Sequence, residues 1–327
     1  MAGYAMGVFE VVDGLKVTGG LRVEQTKMEV ESADTLLAKG NVDQFDFFPS
    51  LNLIYGINDK MNLRGSFSQT IARPTMRELA PFVTFDFIGG FLYIGNPDLQ
   101  TTLIRNYDLR YEYFIRPGEV IALSAYYKHF SDPIVKAYNT DAINPEITYQ
   151  NTNDARVYGI ELDFRKKLDF ISSALKDLSI GANFSYIVSK VDIDTAEFRI
   201  LSEINPEIDN FRPFQGQSPF LANAIISYDS DTLGLAVDLS FNVFGKRLAA
   251  IGLQGLPDIY EQARGLLNLS VSKEIGERFT VKLKVKNLLN SEYLTQQTYK
   301  ENVYRNESHK LGTTFSFGLS YTIKSVS

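Results

Sequence analysis

From Leu311 to Ile323 every second residue is apolar or Thr: Leu311, Thr313, Phe315, Phe317, Leu319, Tyr321 and Ile323. The residues between them, Gly312, Thr314, Ser316, Gly318, Ser320 and Thr322, are small and polar. Side chains alternate across a strand, so this segment has one greasy, aromatic face and one small, wettable face. An antiparallel sheet made of such strands needs its apolar face covered by a second sheet, by helices or by lipid.

Alternation and turn signals predict about thirteen strands of this kind. They are Gly3–Val12, Leu15–Val23, Leu51–Ile57, Met61–Phe67, Tyr107–Ile115, Val120–Phe130 and Val157–Leu168, followed by Leu178–Val188, Pro219–Tyr228, Leu233–Phe244, Arg264–Ile275, Phe279–Leu289 and Leu311–Ile323. Their connections alternate in length. Asp13-Gly14, Asn58–Lys60, Arg116–Glu119, Asp229–Thr232 and Gly276–Arg278 are short, and Asp169–Asp177 is somewhat longer. Glu31–Gln44, Arg73–Thr102, Asn139–Glu146, Asp192–Ser218, Gln254–Ala263 and Asn290–Lys310 are long. Short turns at one end and long loops at the other are the habit of transmembrane β-barrels, with the turns periplasmic and the loops extracellular. The expected fold is therefore an all-β, antiparallel up-and-down barrel whose apolar face meets lipid.

Composition agrees with this reading. No stretch of the 327 residues approaches a membrane-spanning apolar helix, and a barrel needs none. Aromatics make up 13% of the chain, 23 Phe and 18 Tyr without Trp, enough for interfacial girdles. There is no Cys, which excludes disulfides, thiolate metal sites and cysteine nucleophiles. A formal charge of −6, with no basic patch interleaved with aromatics, disfavours nucleic acid. The opening Met1–Met6 lacks the basic and apolar regions of a signal peptide, so an exported barrel with this start is expected to be a fragment of a longer chain.

Candidate functional residues fall into two groups. Strict alternation sends Tyr107, Leu109, Tyr111 and Tyr113 to lipid, and Asp108, Arg110 and Glu112 to the lumen. By the same rule Lys282, Lys284 and Lys286 face the lumen, where they serve either as an ordinary solvated wall or as an attraction for an anionic solute or a plug. The long loops carry aromatic rings suited to gripping a ligand or to packing a small core: Phe82, Phe85, Phe87, Phe91, Tyr93, Phe211, Tyr260, Tyr293, Tyr299 and Tyr304. His129, Ser131 and Asp132 lie too close along one strand to converge as a relay, and no hydrolase is expected. No spacing suggests a metal site, and no cofactor is expected.

Four stretches resemble a known family. Ala72–Phe82 (ARPTMRELAPF) is similar to the "ARP…L.P" segment of TonB-dependent outer-membrane receptors. Gly95–Leu99 followed by Asn106–Tyr113 resembles their "GNP.L…NYDL.YEY". Asn151–Leu162, after Asp132-Pro133-Ile134, resembles their "N...A..YGIEL" strand, and Val285–Tyr293 their "NL.N..Y". The order and spacing match as well as the pieces.

The resemblance covers nearly the whole chain but only the C-terminal part of the family's barrel, which has about twenty-two strands. It implies active uptake of a scarce, bulky nutrient such as a ferric siderophore, cobalamin or an oligosaccharide. The implied partners are outer-membrane lipid, a plug domain and the TonB energy-transducing complex, the last two outside this chain. Family chains usually end on an aromatic residue, whereas this one continues into Lys324–Ser327. A passive porin-like channel and an outer-membrane barrel enzyme are the alternatives.

Overall fold

The computed structural model describes residues 1–31, 39–85, 92–139, 146–204, 206–300 and 302–323. Thirteen strands form one continuous antiparallel wall, each paired with the next in sequence. They are β1 (Ala2–Val12), β2 (Leu15–Val30), β3 (Gly40–Asn58), β4 (Met61–Ala72), β5 (Thr102–Arg116), β6 (Glu119–Ser131) and β7 (Ala155–Lys167). The rest are β8 (Leu178–Asp192), β9 (Phe220–Ser230), β10 (Leu235–Phe244), β11 (Arg264–Ile275), β12 (Phe279–Lys286) and β13 (Thr314–Tyr321). Among the described residues β1 pairs only with β2, and β13 only with β12.

Every expected segment is a strand, and the short-turn ends fall close to where the turn residues put them. Gly14 and Gly118 supply the positive φ, +78° and +81°, that tight hairpins demand. The long-loop ends depart from expectation. β3 begins at Gly40 rather than Leu51, β5 at Thr102 rather than Tyr107, and β8 continues to Asp192. These extensions carry Asp43, Gln44, Arg105 and Asn106, so the hydrophobic dyad fades although the ladder continues.

The last hairpin is shorter than its pattern. β12 stops at Lys286 because Asn287 and Asn290 turn left-handed, at φ +56° and +47°. The Asn287 side chain then fixes the corner, accepting from Ser291 N and donating to Gly312 O, both at 3.0 Å. Lys324–Ser327 lie outside the described residues.

One face of the wall is apolar and exposed. Leu109 is 54% exposed, Ile160 52% and Phe317 74%. A continuous patch of this kind is incompatible with water and natural against lipid. Phe67, Tyr107, Tyr127 and Tyr158 stand side by side in register on four adjacent strands. The Phe67–Tyr107 and Tyr107–Tyr127 ring centroids are 5.1 and 6.1 Å apart, an aromatic girdle of the interfacial kind.

At the long-loop end a second sheet of eight short strands joins four loops. Its order is Asn302–Lys310, Glu292–Tyr299, Ile259–Glu261, Arg247–Gly252, Ile134–Asn139, Glu146–Asn151, Leu92–Ile94 and Val83–Phe85. Two pairings, Arg247–Gly252 with Ile134–Asn139 and Glu146–Asn151 with Leu92–Ile94, are parallel. The sequence offers these segments as loops because they are short: Glu146–Asn151 alternates Ile147 and Tyr149 with polar residues, but over six positions only. The buried apolar clusters also lie here. One comprises Val42, Leu79, Leu99 and Tyr149, and the other Val135, Ala137, Leu248 and Ile251.

Candidate functional site

Two of the family-like stretches, Ala72–Phe82 and Gly95–Leu99, sit in this knot and hold it together. Thr75 caps the single-turn helix α1 (Met76–Leu79) reciprocally with Glu78. The 95–99 segment lies against it. Asn96 N donates to Glu78 O at 2.6 Å, and Asn96 Nδ2 donates to Tyr149 O at 3.0 Å. A Cβ on Gly95 would stand 2.3 Å from Ala80 O, so only glycine fits. Gly159 has a matching role on the inner wall, where a Cβ would meet Tyr186 O at 2.6 Å and Tyr126 Oη at 2.8 Å.

The inner wall divides into two halves. On β4 to β8 the charges pair. Arg64 Nε lies 2.7 Å from Glu112, and Arg110 contacts Glu112 at 3.0 Å, Ser124 at 2.9 Å and Asp163 at 2.8 Å. Ser66 donates to Asp108 at 3.3 Å. An asparagine row extends the belt, Asn242 donating to Asn223 and Asn223 to Asn183. On β12 the three lysines share one face of the strand. Lys282, Lys284 and Lys286 stand opposite Gly318, Ser316 and Thr314 of the small-residue face of β13.

The predicted aromatics do not form one site. Phe211, Tyr260 and Tyr299 converge on a cavity of about 680 Å³ at the long-loop end. Tyr93 packs against the Val42–Tyr149 cluster with the Arg77 guanidinium 4.2 Å from its ring. Tyr293 stacks on His309 at 4.8 Å, while Phe82 and Tyr304 are exposed elsewhere. Phe85 ends a short strand. Phe87 and Phe91 lie outside the described residues. His129 faces Asp154 at 3.5 Å, and His309 faces Glu307 at 3.3 Å.

The cavity also includes residues that sequence reading missed. Helix α2 (Thr195–Ile204) places Leu201 and Ile204 on its wall. The start signal was present, since Asp194 accepts from Ala196 N at 2.8 Å as an N-cap. Arg212, nine-tenths buried, pairs with Glu197 at 2.8 Å and reaches Asp258 at 3.8 Å. Lys246 lies 4.4 Å from the Tyr260 ring centroid, and Lys300 5.4 Å from that of Tyr299. Burial raises the Asp258 pKa above the usual carboxylate range, against the opposing pull of Arg212 and of the Gly252 N–H it accepts at 2.9 Å. Burial also pushes Tyr260 up to about 12, with the Asp258 charge adding to it.

A one-sheet wall with a lipid-compatible outer face, a hydrated inner face and all long loops at one end defines an integral outer-membrane β-barrel protein. The chain matches the model of the outer membrane protein beta-barrel family over residues 1–322, and it belongs to that family. No curated protein matches the sequence.

Solved structures share the fold. The ferric enterobactin receptor of Pseudomonas aeruginosa superposes with a TM-score of 0.61 at 15% identity, covering 98% of this chain and 45% of the receptor. The siderophore receptor PirA of Acinetobacter baumannii gives 0.60 at 18% identity, with 98% and 45% covered. The FrpB iron transporter of Neisseria meningitidis gives 0.61 at 17% identity, with the same coverage. The chain thus spans about half the length of these structures.

Proposed function

We propose that this chain is the C-terminal part of the barrel of a TonB-dependent receptor, taking up a scarce, bulky nutrient captured by the extracellular loops. The observation that carries the reading is the convergence of Phe211, Tyr260 and Tyr299 on one cavity at the long-loop end. Aromatic rings give large contact area at small entropic cost, and a volume near 700 Å³ falls in the range of small-molecule sites. Further support comes from the motif order along the sequence and from a fold shared with receptors named for siderophores and iron. On this reading a plug domain and the TonB complex act from outside this chain, and the wall does no covalent chemistry. Iron chelates are the favoured cargo, with cobalamin and oligosaccharides next.

The test is nutrient accumulation in a strain lacking the full-length gene. The intact gene should restore protonophore-sensitive uptake of one of these three classes. The Phe211→Ala, Tyr260→Ala, Tyr299→Ala combination should reduce that uptake about tenfold, as loss of a central aromatic anchor does. Residues 1–327 alone should not restore it. Uptake that survives the protonophore would turn the reading to passive diffusion, and full uptake by the triple variant would dissociate it from the cavity.

A further inference from the structure

Charge on the inner wall is handled in two ways, and the contrast is informative. On β4 to β7 the central arginines are paired, Arg64 and Arg110 being balanced by Glu112 and Asp163 at 2.7–3.0 Å. On β12 three positive charges follow one another at every second residue, and among the described residues Lys282, Lys284 and Lys286 make no ion pair or side-chain hydrogen bond. The acidic groups on the same face do not serve them. Asp238 is two strands away, opposite Ser270, and accepts from Ser227 at 2.7 Å. Glu274 stands opposite Thr280, two residues along the strand from Lys282, and makes no ion pair with it.

The neighbours leave the ammonium groups room. Ser270 and Ser272 flank the column on β11, and Thr314, Ser316 and Gly318 flank it on β13. A Cβ built on Gly318 would lie 3.8 Å from that of Lys282, which places both on the same face. The paired belt runs around the wall, but the lysines run along a strand, from the long-loop end towards the short turns. Alternate residues of a strand are about 7 Å apart, so the column is a set of successive cationic stations down the lumen. Several weak sites in series suit passage, whereas one strong site suits retention.

We propose that Lys282, Lys284 and Lys286 form a binding track for a small polyanion, with carboxylate or phosphate oxygens, passing along this side of the lumen. The track is independent of the long-loop cavity and stands or falls apart from it.

Lysine acylation followed by mass spectrometry tests it on the purified chain in detergent micelles, with tripolyphosphate as probe. Tripolyphosphate should slow acylation of the three lysines severalfold and leave Lys60, in a short turn, unchanged. Glycerol should protect none of them. A Lys→Arg triple variant should keep tripolyphosphate affinity, and a Lys→Gln triple variant should lose about tenfold. Protection of Lys60 equal to that of the column, or none at the column, would overturn the track. Hexaglutamate protecting at lower concentration than tripolyphosphate would also overturn it, in favour of an acidic polypeptide docked there. The protection arm uses the unmodified chain, so it decides the question even where a variant fails to fold.

Discussion

Arg110 on β5 reaches past the whole of β6 to donate Nη1 to Asp163 on β7 at 2.8 Å. The same guanidinium bonds Glu112 and Ser124, so one side chain ties three strands on the wet face of the wall. Both partners are about one-third exposed, at 32% and 36%, so the pair is partly screened. Arg110→Gln should destabilise the folded barrel by about 1 kcal/mol. A double-mutant cycle with Asp163→Asn, read from urea midpoints in micelles, should show coupling of the same sign. Strict additivity would mean the contact is idle.

The lipid and water faces can be separated by one residue. Cysteine at Arg110 should react with a membrane-impermeant thiol reagent in proteoliposomes, and cysteine at Leu109 should not. A slip of one register would put Asp108, Arg110 and Glu112 in hydrocarbon, each at a cost of a few kcal/mol near the midplane. Preferential reaction at 109 would invert the wall.

Sidedness follows from loop length. An epitope inserted near Asn210 should be detected on intact cells carrying the full-length protein, and one near Gly118 only after the outer membrane is opened. The opposite pattern would place the eight-stranded loop sheet in the periplasm.

Gly159 gives a packing test. A methyl there meets a backbone oxygen, Tyr186 O at 2.6 Å, as well as the Tyr126 ring. The ring can swing away but the ladder cannot. Gly159→Ala should therefore destabilise by about 1–3 kcal/mol, the usual cost of overpacking. Gly159→Ala combined with Tyr126→Ala should recover only part of that loss.

The long-loop cavity should respond to pH through Asp258. Its folded pKa is raised by burial, so the stability it contributes is complete below the ordinary value of 3.8 and is lost as pH rises through the raised folded value. Hydrogen-exchange protection of Arg247–Gly252 should fall over that rise in the parent chain. It should stay flat in Asp258→Asn, which keeps the acceptor for Gly252 N. Identical profiles would remove Asp258 from the account.

The wall was legible because lipid on one side and water on the other impose a period of two, and turns such as Asp13-Gly14 punctuate it. Legibility ended where that asymmetry ends. In Gly40–Ser50 the polar Asp43, Gln44 and Asp46 fall on both faces among the phenylalanines, and in Thr102–Asn106 the apolar Leu103 and Ile104 are adjacent, so the period of two is broken although the ladders continue. The site was legible in part for a related reason. Phe211, Tyr260 and Tyr299 are conspicuous as aromatics in polar loops. Arg212 and Asp258 are ordinary charged residues until the fold buries them beside each other, 46 positions apart. Tyr93, equally conspicuous, packs against a buried cluster because the motif-bearing segments around Asn96 close over it.

On the proposed function, the eight-stranded sheet at the loop end would make specificity a collective property. Hydrogen bonds that cross from 134–151 to 247–252, and from 292–299 to 259–261, mean that no one of these loops has a shape of its own. Exchanging a single loop with that of a homologue would break a ladder on both sides of the graft. If the loops bind a ligand as proposed, a change of ligand would require the four loops to be inherited or transplanted as a set, while the wall beneath drifts freely in sequence so long as its period of two survives.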